Sequence, residues 1–183
     1  MKLISNPRVM QAVVESGPEF VELLAKYGDD GFEAARLLGR NAPEVLNQFD
    51  ELAHLPGADN LMRDLRAGGT TTTGAVGAVR YFSSIQDDVA EVGSRINGRK
   101  AADGILKEGT VVDVKNWDFK ASFYDDPARL DDAIDGMLSQ IDLRRMQYPG
   151  QPIRYVFTSP LSEVPQTIQE ALTEAGVQIL GMP

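Results

Sequence analysis

Ala101-Ala102-Asp103-Gly104-Ile105-Leu106-Lys107-Glu108-Gly109-Thr110-Val111-Val112-Asp113-Val114-Lys115-Asn116-Trp117 is the stretch that decides how this chain is read. Two short apolar runs flank the turn signal Glu108-Gly109, so they read as consecutive antiparallel strands. Residues two apart on a strand share a face, which puts Asp113 and Lys115 together while Val112 and Val114 pack the other way. Pairing through the turn brings Asp103 near the end of Asp113's strand. Two carboxylates then converge beside one ammonium in strands that are otherwise apolar. The plain alternative is a cross-strand ion pair.

Working outward, residues 89–96 form a candidate strand and Asn97-Gly98 a turn, which completes a three-strand meander with 101–106 and 110–115. Ala75, Ala78, Val79, Phe82 and Ile85 follow helical spacing ahead of it. Beyond it, Asp125 or Asp126 caps a helix that enters with Pro127 and carries one apolar stripe, Leu130, Ala133, Ile134, Met137, Leu138 and Ile141. Ile153 to Phe157 is a strand, a helix carries Ile168, Leu172 and Ala175, and residues 177–180 return as the last strand. The order αβββαβαβ predicts an α/β domain with a mixed sheet and helices on both faces.

Residues 6–66 have a different grammar. Asn6-Pro7, Gly17-Pro18, Gly28, Gly39 and Pro56-Gly57 punctuate short helices that bury Phe20, Leu24, Val45, Leu46 and Phe49. The stretch 68–74, Gly-Gly-Thr-Thr-Thr-Thr-Gly, lacks both charge and large apolar groups and reads as a linker. The expected division is therefore a helical region over 1–67, a linker over 68–74 and an α/β domain over 75–183.

Composition limits the chemistry. The 183 residues hold 27 acidic and 18 basic side chains, no Cys, and one His, His54. Disulfide scaffolds, thiolate metal sites and cysteine nucleophiles are excluded, and a serine triad is a poor fit. Before Gly74 there are 7 basic and 11 acidic residues, and from it on 11 and 16, so neither half offers a bulk basic surface for phosphate. A nucleic-acid role would need a local device. No apolar run approaches the roughly 18 residues of a membrane span, and residues 1–7 do not read as a signal peptide.

Hard divalent cations such as Mg²⁺ or Mn²⁺ take carboxylate oxygens, commonly one or two together with water and substrate phosphate. Asp103 and Asp113 are the candidate metal ligands on that chemistry, and Lys115 is placed to orient or deprotonate an attacking water. Gln140 and Arg144, four apart at the edge of the later helix's stripe, are accessory candidates that could reach a phosphate; an ordinary solvent-facing pair is the other reading. Trp117 and Tyr124 could stack on an unpaired base or simply pack at the rim. The run Asp125, Asp126, Asp131, Asp132 and Asp135 reads as a solvated face, with docking of a basic partner as the alternative.

The sequence resembles the PD-(D/E)XK nuclease superfamily with its restriction-endonuclease-like core, over residues 74–180. The carriers are Asp-Gly-Ile-Leu on the second strand, the Glu-Gly turn, and Asp-Val-Lys on the third, followed by a helix and a strand. The form Thr-Val-Val-Asp-Val-Lys-Asn-Trp, behind a helical region with Lys26-Tyr27-Gly28-Asp29, is similar to C-terminal toxin domains of bacterial polymorphic and contact-dependent inhibition toxins. That resemblance implies metal binding by Asp103 and Asp113 and a catalytic Lys115. It also implies a nucleic-acid substrate (DNA ahead of tRNA), a cognate immunity protein, and delivery within a larger toxin to a target-cell cytoplasm. One departure stands out: the family often places a Glu on the first core helix, and Ala78 occupies the expected position. Asp87, Asp88 and Glu91 are the nearby acids that could replace it, with solvated surface as the simpler reading. The missing acid also leaves open a nuclease-fold module that binds without cutting.

Overall fold

A computed structural model describes residues 7–120, 124 and 126–182. The helical half begins with α1 (Pro7–Leu38), whose helical backbone is interrupted at Gly17 and Gly28, so the expected short helices are its consecutive segments. It continues with α2 (Ala42–Leu52), α3 (Ala58–Leu65) and α4 (Gly69–Ser84). Then come β1 (Val89–Val92), β2 (Arg95–Ile96), β3 (Arg99–Lys100), β4 (Gly104–Leu106) and β5 (Val111–Lys115). The chain closes with α5 (Pro127–Gln147), β6 (Ile153–Phe157), α6 (Gln166–Glu174) and β7 (Gln178–Gly181).

The sheet runs β1-β4-β5-β6-β7, antiparallel through β1, β4 and β5 and parallel from β5 through β7. It is the mixed α/β architecture expected. The strand foreseen over 89–96 is divided at Gly93-Ser94, and β2 and β3 form a separate hairpin around Asn97-Gly98. Asp126 accepts from the Ala128 N–H at 3.1 Å and is the α5 N-cap, while Asp125 lies outside the described residues.

Strand alternation divides the apolar residues between two cores. Val112, Val114 and Val156 join Val89, Val92 and Leu106 with the apolar residues of α1 to α4. Ile153, Tyr155 and Phe157 point the other way, under Met137 and Ile141 of α5 and Ile168 and Leu172 of α6. Helices therefore cover both faces, and the helical half supplies the whole of one layer.

The expected linker is corrected. Helix α4 starts at Gly69, and Thr72, buried, donates its hydroxyl to the Leu65 carbonyl at 3.0 Å and accepts from the Gly68 N–H at 2.8 Å. Threonine hydroxyls here satisfy backbone groups at a helix junction, which composition cannot distinguish from a flexible polar tract. The helical half is tied to the sheet at a second point: the Val92 N–H donates to the Pro56 carbonyl at 3.0 Å. Gly57, at φ 82°, lets that turn lie on β1, since a Cβ there would stand 1.8 Å from the Val92 oxygen.

Candidate active site

The register that sets Gly104 opposite Val112 puts Asp103 across from Asp113 on the same sheet face. Like charges facing each other across strands repel, so the pair needs compensation. Each carboxylate has its own. Arg144 grips Asp113 with two bonds, Nε to Oδ2 at 3.0 Å and a terminal nitrogen to Oδ1 at 3.2 Å, and both side chains are buried. Asp103, also buried, accepts from the Val114 N–H at 2.7 Å and takes Lys100 Nζ at 2.6 Å on its other oxygen.

Lys115, half-buried, donates to Gln140 Oε1 at 2.7 Å and lies 4.9 Å from the Tyr155 ring centroid. Burial lowers its pKa, and although Asp113 and Asp103 pull upward, they do not offset it. Tyr155, opposite Asp113 on β6, is shifted up by burial and then by the Asp113 charge; its hydroxyl donates to the Met137 carbonyl at 3.3 Å, holding α5 against the sheet.

Asp103, Asp113, Lys115, Gln140 and Arg144 thus line one pocket of about 300 Å³, with Lys100, Asn116, Trp117 and the first turns of α4. Arg144 is more than an edge residue: it continues the buried series Met137, Ile141 at helical spacing and points inward. Lys100 and Tyr155 escaped the sequence reading. Lys100 lies three before Asp103, but only the turn-back of the β2–β3 hairpin brings it to that carboxylate. Asp87, Asp88 and Glu91 do not line the pocket, and Ala78 is turned into the core. The α4 residues on the pocket wall are Thr70, Thr73 and Gly74, with no acid among them. His54 is exposed in the helical half, and Asp131, Asp132 and Asp135 are exposed on α5. Trp117 stacks on Tyr124 at 5.9 Å and meets Phe119 edge-on.

The donor set suits a divalent cation in kind: two hard carboxylates, each oxygen of which keeps an acceptor site beyond the bonds just described. Among the described residues no third acid or His joins them. With Lys100, Lys115 and Arg144 against two carboxylates, the wall is richer in cationic than anionic groups. Uptake of a cation is therefore favoured when an anionic ligand enters with it or when a resident cation withdraws.

Compared with protein-family models, with curated proteins and with solved structures, the chain matches none.

Proposed function

We propose that the protein is a metal-dependent nuclease of the restriction-endonuclease-like class, hydrolysing phosphodiester bonds of nucleic acid, with DNA the first substrate to test and tRNA the alternative, and that it serves as a bacterial toxin effector domain met by an immunity protein. The observation that carries this reading is the convergence of Asp103, Asp113 and Lys115 from adjacent strands with Gln140 and Arg144 of α5 in one pocket.

Asp103 and Asp113 would hold Mg²⁺ or Mn²⁺, which when bound polarises the phosphoryl group and eases deprotonation of water. Burial holds the Lys115 pKa below the ordinary lysine value, the direction a general base at the attacking water needs, and Gln140 fixes its Nζ on the pocket side. Arg144 supplies charge for the phosphate oxygens as negative charge develops. The N-terminal turns of α4, through Thr70 and Thr73, add a positive dipole end. A chain of net charge −9 thereby keeps a cationic pocket where phosphate must be handled.

Incubation of the purified protein with plasmid DNA and with total tRNA, in Mg²⁺ or EDTA, tests the proposal beside Lys115→Ala. Cleavage that needs Mg²⁺ and falls at least about 100-fold in the variant is expected. Identical products from both proteins would sink the assignment. A second reading, a nuclease-fold module that binds nucleic acid without cutting, is favoured by one observation: both carboxylates are already paired with cations. It predicts retention of nucleic acid with no cleavage and no heat of Mn²⁺ binding.

A further inference from the structure

Asp64 of α3 is buried beneath the β2–β3 hairpin, on which Arg95 and Lys100 face one another across the strands. Arg95 bonds Asp64 Oδ1. Oδ2 is buried without a hydrogen bond among the described residues, and Lys100 Nζ lies 3.8 Å from it. The same Nζ is bonded to Asp103 Oδ1 at 2.6 Å. Lys100 therefore stands between a carboxylate it satisfies and a buried carboxylate oxygen that lacks a donor.

An unmade bond at a buried oxygen is a standing cost, which a small displacement of Lys100 would remove. A shift of roughly 1 Å brings 3.8 Å to hydrogen-bond distance, well within the reach of a flexible four-carbon stem. Among the described residues, the short contact of this ammonium is the one to Asp103. Any cation that takes Asp103 Oδ1 both repels Lys100 and frees it.

We propose that Asp64 is a positioning residue for the metal site, the second seat of Lys100, which transfers from Asp103 Oδ1 to Asp64 Oδ2 when a divalent cation binds Asp103. This rests on the reading of Asp103 and Asp113 as cation ligands. The orphan oxygen is then a prepared acceptor, and the helical half takes part in the site through α3. The rival is release of Lys100 into solvent, to which its side chain is already 35% exposed; in that case Asp64 plays no part.

Titration calorimetry with Mn²⁺ alone, on the full chain, separates the two through wild type, Asp64→Asn, Lys100→Gln and the double variant, with thermal unfolding as a check on folding. Expected are binding about tenfold weaker in D64N, about tenfold tighter in K100Q, and no effect of D64N once Lys100 is gone. Unchanged affinity in D64N, or an equal loss in both backgrounds, overturns the proposal while leaving the metal reading intact. Wild type that binds no Mn²⁺ overturns both. If D64N does not fold, K100Q decides: affinity unchanged or weakened refutes the competition between Lys100 and the cation.

Discussion

Arg144 reaches Asp113 from a position seven residues beyond Met137, and in doing so takes a full charge into a buried layer. Removing one partner of such a pair leaves the other uncompensated, so the site's charges and the fold's stability are coupled. Asp113, Lys115 and Asp103 were legible because strand periodicity and a tight turn fix their common face. That Asp103 carries Lys100, and that Lys100 also faces Asp64, was not legible, because the first contact depends on how the β2–β3 hairpin turns back and the second joins elements far apart along the chain. A second charged cluster, remote from the pocket, sets a pH dependence. Lys26 and Tyr27 both donate to Asp50 Oδ1. Burial alone would raise the Asp50 pKa, but those hydrogen bonds and the Lys26 charge lower it. A carboxyl depressed in the folded state binds fewer protons there than in the unfolded chain, so its stabilisation is present above the unfolded pKa and lost as pH falls through the folded one. Stability should decline as pH drops below about 4, the ordinary carboxylate range. Asp50→Asn should decline less over that interval while costing about 1 kcal/mol at neutral pH. Urea unfolding at pH 7 and 3 measures both, and parallel losses in the two proteins would contradict the assignment.

Helix α4 is the element that seats the site. Its core side, Ala75, Ala78, Val79 and Phe82, packs on the sheet, and its first turns reach the pocket. The spacing of those apolar residues revealed the helix but not its beginning, since Gly69 to Gly74 carry no apolar residue to mark a face. Contact between α4 and β4 depends on Gly104. A Cβ at that position would lie 2.5 Å from the Phe82 ring and 2.7 Å from the Glu91 carbonyl oxygen. The ring can turn, but the carbonyl belongs to the neighbouring strand and cannot yield without loosening β1 from β4. Gly104→Ala should therefore destabilise by about 1 to 3 kcal/mol, the usual range for overpacking. A lowered urea midpoint with unchanged slope is the signature; an unshifted midpoint would show that β1 gives way at no cost. Because Asp103 immediately precedes Gly104, the proposed cleavage should fall with stability in this variant.

At the scale of the molecule, the helical half and the sheet share one core. Val112, Val114 and Val156 on the sheet share one apolar cluster with residues of α1 to α4, and the Pro56-Gly57 turn is bonded to β1. A fragment of residues 69–183 keeps α4 on that face of the sheet but loses α2 and α3, which pack against α4, and the turn bonded to β1, so much of this core would be exposed. It should show no cooperative thermal unfolding, whereas the full chain should unfold in one transition. A fragment with a sharp transition of its own would restore 1–67 as an independent unit. The sequence by itself determined the αβββαβαβ order and the meander, together with the common face of Asp113 and Lys115. All of these follow from periodicity and turn chemistry acting over a few residues. Tertiary structure alone decided that the Thr-rich stretch is a helix start, that Arg144 and Lys100 neutralise the two carboxylates, and that Asp64 of α3 lies 3.8 Å from Lys100. Those outcomes depend on burial, on how a hairpin and a helix junction turn back on themselves, and on charge compensation between segments whose sequence does not reveal their meeting in space.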